Sequence, residues 1–462
     1  MPDLLATHSG AVQPALPHAP ALARELTAWD GFAIVAGSVI GSGIFLVPGA
    51  IALHLVSVRS VVLIWAVGGA LSIFGALSLA ELASMFPAAG GLYTYLREAY
   101  GTAVAFLYGW GLLAMIQSGS VATLATGFAL YLSQLLPLTP VEQKLVAVGT
   151  VVGLTLANLM SVRHAKHIQN IGMIAKFLGL SGLAALLLTR GHVVALSAGW
   201  RAVEPAGPMA YGVALIAVLW AYEGWHVVSF AAGEFRNPQR DLPRSLLYGT
   251  MFVTGIYLLL NIGYYAVLRP GQIAGVASAA ATAALAVYGG SATRLISVLI
   301  VTSILVAING MTLTGPRVYY AMALDGVFFQ SLGKTNARSK VPTRALLIQG
   351  IWASVLTLVG SFQQLFTAVV FTAWIFYGLA VAGVIVLRIR YPDRPRSFRT
   401  PGYPLLPILF VVAAAIVVIS TVVSSPGRAA SGVGLILVGL PLYALFRRSR
   451  SGPNSPLLGE TP

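Results

Sequence analysis

Cysteine is absent from all 462 residues, and charged residues make up only 9% of the chain. The first absence excludes disulfides, thiol nucleophiles and cysteine-ligated metals. The second lies far below the roughly 25% of soluble domains. With 57% hydrophobic residues and a mean hydropathy of +0.84, the chain has too little polar surface to stay in solution, and reads as an integral membrane protein. Enzymatic machinery is missing as well. There is no HExxH motif, no Ser/His pair on neighbouring motifs and no acidic dyad at the middle of an apolar run. An intramembrane enzyme is disfavoured, and no metal or cofactor is called for.

The charge that is present sums to +15. It falls in short clusters between apolar runs, not on one basic face with interleaved aromatics, which is the pattern of membrane orientation and not of nucleic-acid binding. The opening "MPDLLATHSGAVQPALPHAPALARE" lacks a basic start followed by an apolar core. Residues 1–28 therefore read as a disordered tail and not as a signal peptide.

A spanning helix needs about 20 apolar residues. Twelve segments qualify: 29–53, 59–86, 102–136, 143–160, 167–189, 209–233, 244–268, 291–321, 343–360, 363–388, 403–423 and 430–446. The connection after the eighth is long enough for a small helix of its own. With both termini on one side, that side collects twenty of the 28 Lys and Arg, among them Arg163, Arg240, Arg338, Arg390 and Arg447. The other side collects seven, and Lys176 belongs to neither. The positive-inside rule then places both termini in the cytoplasm, with residues 447–462 as a second tail.

Span one carries "AIVAGSVIGSGIFLVPGAI" over 33–51, with Gly37, Gly41, Ser42, Gly43, Pro48 and Gly49 at membrane depth. Each helix-interior glycine costs about 1 kcal/mol relative to alanine. One reading is close packing, since Gly37 and Gly41 have small-xxx-small spacing. The other is a break, whose freed N–H and C=O groups face a cavity and become ligands, with the positive end of the second half-helix suited to a carboxylate. Span six favours the break. Its middle holds Trp220, Ala221, Tyr222, Glu223, Gly224, Trp225 and His226, and a glutamate at that depth normally faces a cavity or a partner. If spans one to five and six to ten are inverted repeats, the two interrupted segments occupy equivalent positions, as in transporter binding sites.

Lys176 lies on the order of 14 Å into the core, counting from His167 at the rise of a helix. Either it snorkels to the interface, or its ammonium meets carbonyls or a carboxylate inside the bundle, where a fixed cation can do the work of a bound sodium ion, or its pKa shifts and it is neutral.

At this point the chain resembles the amino acid–polyamine–organocation (APC) superfamily, nearest to bacterial relatives of the L-type amino acid transporters. The resemblance runs from about Glu25 to Phe446. It rests on "GSGIF" at 41–45, "SLAELASMFPAAGGLYTYLREAYG" at 78–101, "FLYGW" at 106–110, "AYEGWH" at 221–226, "EFRNPQRDLPRS" at 234–245, "NGMTLTGPRVYYAMALDG" at 309–326 and "RIRYPDRPRSFRTPGYPLLPILF" at 388–410. It implies an all-α membrane protein of LeuT type: a five-helix repeat over 29–189, its inverted counterpart over 209–390, and two further helices over 403–446. It also implies a substrate site at the breaks. The amides of Ser42, Gly43 and Ile44 would receive the carboxylate, with Gly41 beside them and the Ser42 hydroxyl helping. Carbonyls near Val39 and Ile40, with Trp220, Ala221, Tyr222 and Glu223, would receive the ammonium, and Trp220 stands where an aromatic gate caps the substrate. Lys176 and Ser303 would take the place of a sodium site.

Glu223 stands where several relatives have Gly. It would narrow the pocket, favour a cationic side chain, or pair with His226 or water. His226 is either a hydrogen-bonded neutral side chain or a proton sensor. With no cysteine, no disulfide-linked heavy subunit is expected. Glu81 is expected to pair with a nearby basic loop residue, and Arg317 to form a gate with Asp30 or another acidic residue. The expected activity is sodium-independent exchange of neutral L-amino acids across the plasma (inner) membrane. Its rivals are proton-coupled symport, exchange of cationic amino acids, and a sensor that binds without transport.

Overall fold

Helices account for the chain because a backbone in lipid must satisfy its polar groups within a helix or a closed barrel, and apolar runs of about 20 residues suit the helix. The computed structural model describes residues 22–191, 197, 200 and 205–450. Most of the two expected tails, and Arg201, lie outside the described residues. Among those residues the regular secondary structure is helical apart from one isolated parallel bridge, Leu26 to Phe235.

Among the described residues ten helices are long and apolar enough to cross a membrane. The sixth and ninth predicted spans fall instead on shorter apolar helices, Pro208–Ala221 and Thr343–Val359. The small helix expected after the eighth span is a single 3-10 turn, Gln330–Gly333. The innermost spans are Ala28–Ala52 and Thr102–Leu132, whereas Pro140–Met160 and Ala429–Arg447 lie at the periphery. Large apolar side chains such as Ile171, Leu295, Ile419 and Leu445 are exposed on the outside, as a face in contact with lipid tails allows.

Span one is two helices. The first, Ala28–Val39, starts at a reciprocal capping box between Thr27 and Asp30, the usual way to satisfy the first orphan amides. It stops at Ile40, and a second helix, Gly43–Ala52, restarts after Gly41 and Ser42. Gly43 is required by crowding: a Cβ there would stand 2.5 Å from the Ala221 Cα. Gly37 fits the packing reading instead, since a Cβ there would stand 2.3 Å from the Gln169 amide nitrogen. The two readings of the glycine run thus apply to different glycines.

Span six breaks beside it. The Pro208–Ala221 helix ends, the chain turns through Tyr222–His226 with Gly224 at φ +110°, and a 3-10 helix covers Val227–Glu234. That φ lies in the left-handed region that glycine alone adopts without strain. One hydroxyl joins the two breaks. Tyr257, on the Pro238–Val267 helix, lies 3.0 Å from both the Val39 and the Ala221 carbonyl oxygens.

At the end of the bundle that holds the Leu26–Phe235 bridge, ion pairs tie the elements together. Arg317 is wholly buried against Glu234 at 2.8 Å and also donates to the Leu313 carbonyl. The expected pairing of Arg317 with Asp30 does not form. Asp30 is held by its own cap, by Asn170 at 2.7 Å and by Lys166 at 3.4 Å, leaving Glu234 as the acid for Arg317. Glu81 accepts from Arg388 at 2.7 Å and lies 3.3 Å from Arg396. Arg97 pairs with Asp325, which also accepts from the Tyr93 hydroxyl at 2.7 Å.

Candidate functional site

The two breaks face one cavity, the concave setting typical of small-molecule sites. Its polar lining is Ser38, Ser42, Ser120 and Glu223, and its apolar walls are Leu124, Trp220 and Met311. Trp220 packs edge-on against Phe366, with ring centroids 5.6 Å apart.

At the start of the Gly43–Ala52 helix, the first bonded amides are those of Phe45 and Leu46, both donating to the Ser42 carbonyl. Among the described residues the Ser42, Gly43 and Ile44 amides donate no backbone hydrogen bond. The hydroxyls of Ser38 and Ser42 are buried and have no hydrogen-bond partner among the described residues. Unsatisfied buried donors are rare enough in native structures that a cluster of them calls for an explanation. Three N–H groups at the positive end of a helix, with two hydroxyls beside them, are donors of the kind that suits an anion.

The carbonyl side of the break is less open than the sequence suggests. Val39 O already accepts from the Gly41 amide at 2.8 Å and from Tyr257. Ile40 O accepts from Lys176 Nζ and, at 3.1 Å, from Ser303 Oγ. A carbonyl oxygen has two lone pairs, so Ile40 O is fully used by the protein, while Val39 O shares the single Tyr257 proton with Ala221 O. The acceptor that the cavity does offer a cation is the Glu223 carboxylate.

Lys176 is fully buried on the Val162–Arg190 helix, with its ammonium 2.6 Å from the Gly37 carbonyl and bonded to that of Ile40. Snorkelling is excluded by that geometry. The ammonium sits at the C-terminal end of the Ala28–Val39 helix, where the dipole is negative. A file of amides continues the support: Gln169 donates to Ala33 O at 3.2 Å, Asn309 to Gln169 at 2.9 Å, and Asn158 to Asn309 at 2.9 Å.

The structure therefore brings Val39, Gly41, Ser42, Gly43, Trp220 and Glu223 to the cavity wall, and puts Ile44 within the adjoining helix turn. Lys176 and Ser303 lie behind the break. Tyr222 points away from the cavity: its hydroxyl donates to Trp65 O at 3.1 Å, within an aromatic cluster of Trp65, Tyr222 and Tyr257. Ala221 serves as the surface against which Gly43 packs. Glu223 and His226 do not touch directly; both hydrogen-bond to Tyr377, at 2.5 Å and 3.2 Å. Tyr257 and Tyr377 escaped sequence reasoning. Their only signal is a hydroxyl within an apolar run, which looks like any aromatic residue of a membrane helix.

A family model described as amino acid permease matches residues 26–446. The chain is 30% identical over 433 residues to the serine/threonine exchanger SteT of Bacillus subtilis, covering 93% of this chain and 98% of that protein. It is also 30% identical over 455 residues to the human b(0,+)-type amino acid transporter 1, covering 96% and 91%. Against the human large neutral amino acids transporter small subunit 2 it is 29% identical over 440 residues, covering 92% and 81%.

Proposed function

Since the chain belongs to the amino acid permease family of the APC superfamily, and so to a group of transporters and not of enzymes, we propose that it exchanges small neutral L-amino acids across the plasma (inner) membrane, without sodium, by alternating access. The observation that carries this reading is the group of unbonded amides at Ser42, Gly43 and Ile44, which open with the Ser38 and Ser42 hydroxyls onto the cavity between the two breaks. A free amino acid supplies the carboxylate that those donors lack, and the carboxyl oxygen of Glu223 supplies an acceptor for its ammonium. Trp220 closes over it.

Three further observations support the details. The Lys176 ammonium between the Gly37 and Ile40 carbonyls makes a sodium ion redundant there, with Ser303 completing the site. The cavity walls at Leu124, Trp220 and Met311 are apolar, which favours an uncharged side chain. The relatives include one named as a serine/threonine exchanger, which favours exchange over uptake coupled to an ion. In this reading the chain has twelve spans in a LeuT-type arrangement, five plus five inverted and two more, with the breaks in spans one and six and both termini in the cytoplasm.

Calorimetric titration of the purified protein in sodium-free buffer tests the site. Serine is expected to bind and its methyl ester, which lacks the carboxylate, to be rejected. Equal affinity for the ester would show that the amides of the break are not the carboxylate site.

A further inference from the structure

Asp30, Glu81, Glu223 and Glu234 are all buried carboxylates. Three of them face a cation: Glu81 faces Arg388 and Arg396, Glu234 faces Arg317, and Asp30 faces Lys166. Glu223, 6% exposed on the cavity wall, has no ion pair among the described residues. Its one side-chain hydrogen bond there comes from the Tyr377 hydroxyl at 2.5 Å.

The titratable groups around it are few. His226 belongs to the same unwound segment, Tyr377 comes from the Phe362–Arg390 helix, and Tyr108 from the Thr102–Gly111 helix, with Tyr319 of the Pro316–Leu324 helix beyond it. Span one offers only the serines at 38 and 42. None of these carries a positive charge that would offset an ionised Glu223 while His226 is neutral. A bare carboxylate in such surroundings is strongly disfavoured. The site is neutral in two ways: with a proton on Glu223, or with a cation opposite it.

The hydrogen-bond geometry provides a path for that proton. The rings of Tyr377 and His226 lie 4.5 Å apart, and the Tyr377 oxygen is 3.2 Å from His226 Nε2. Tyr377 has one proton. When it donates to Glu223, its oxygen accepts from His226 Nε2–H, which leaves Nδ1 as a bare lone pair. That atom is buried without a partner. A proton arriving at Nδ1 from water forms Nδ1–H. The Nε2–H bond then breaks as its proton passes to the Tyr377 oxygen, and the phenolic O–H breaks as its proton passes to Glu223. The products are a neutral carboxylic acid, an intact tyrosine and a neutral histidine of the opposite tautomer. One proton enters and one O–H bond is gained at Glu223.

We propose that Glu223, Tyr377 and His226 form a one-proton relay that is loaded when the cavity holds a neutral amino acid and discharged when a cationic one enters, so that exchange between the two classes is electroneutral. The proposal rests on the exchange reading above and extends it to cationic substrates. Tyr377 and His226 act through Glu223 and are positioning and proton-carrying groups that do not touch the substrate.

The test uses the full chain in proteoliposomes loaded with serine and an entrapped pH dye, with the membrane potential clamped by potassium and valinomycin. External serine is expected to exchange with no pH change. External lysine is expected to enter while the lumen loses one proton per lysine, at a rate that does not respond to an imposed potential. Lysine entry without proton loss, lysine entry driven by the potential as a single positive charge, or rejection of lysine while serine exchanges would each overturn the relay. Absence of serine–serine exchange would overturn the exchange reading itself, and the relay with it. In Tyr377→Phe the ratio of lysine–serine to lysine–lysine exchange is expected to fall about tenfold, whatever the absolute rates. An equal loss in both would make Tyr377 a packing residue and remove it from the relay.

Discussion

Lys176 and Ser303 donate to the same atom, the carbonyl oxygen of Ile40. They come from different helices, Val162–Arg190 and Gly290–Thr314, so the last carbonyls of a broken helix are held from two sides. Removing the ammonium strips the charged donor from the Gly37 and Ile40 carbonyls, and an unsatisfied buried group costs about 1–3 kcal/mol. In Lys176→Met, transport is expected to fall about a hundredfold, while amino-acid affinity measured by calorimetry changes by only about threefold. Wild-type flux in this variant would remove the coupling role. Ser303→Ala leaves the lysine in place, and its loss is expected to be about tenfold at most.

The close approach of Gly43 to Ala221 gives a second prediction. In Gly43→Ala the new methyl meets backbone at 2.5 Å, which no rotamer change relieves. The two breaks must separate, and serine affinity is expected to drop by about two orders of magnitude or more. Binding within a factor of two of wild type would show that the breaks do not form the site together.

Tyr257→Phe isolates the clamp between the breaks. Only the hydroxyl is lost, and with it the bonds to Val39 O and Ala221 O, worth about 0.5–1.5 kcal/mol. The melting temperature in detergent is expected to fall by a few degrees, and exchange to fall further than stability explains, since the hydroxyl ties the two moving segments. A drop in stability with unchanged exchange would assign Tyr257 to packing alone.

Arg317 and Glu234 are both out of contact with solvent. Breaking such a pair on one side costs about 3–5 kcal/mol because a charge is left buried and alone. Glu234→Gln is therefore expected to lower thermal stability strongly, and the double variant Glu234→Gln with Arg317→Met to recover part of the loss. A double variant less stable than the single would mean that the pair is not the source of the effect.

The breaks were legible in sequence because glycine, serine and proline inside an apolar run have few other uses, and Lys176 because a charge that deep needs a partner. The extent of the helices was less so. Predicted span six runs to 233, whereas its helix ends at Ala221, since apolar residues continue through the unwound segment and hydropathy does not sense the backbone. Partner choice was the least legible. Arg317 had several acids in reach, and only the fold shows that Asp30 is occupied by its own helix cap. The engagement of the Val39 and Ile40 carbonyls depends on Tyr257, Lys176 and Ser303 converging from three other helices. Composition carries no information on such convergence.

Uptake of labelled serine into sodium-free proteoliposomes, at equal pH on both sides, tests the central claim most directly. Half the vesicles are loaded with unlabelled serine and half are empty. Uptake into the loaded vesicles alone is expected. Equal uptake into both would contradict exchange, and uptake that begins only when sodium is added would contradict the role given to Lys176.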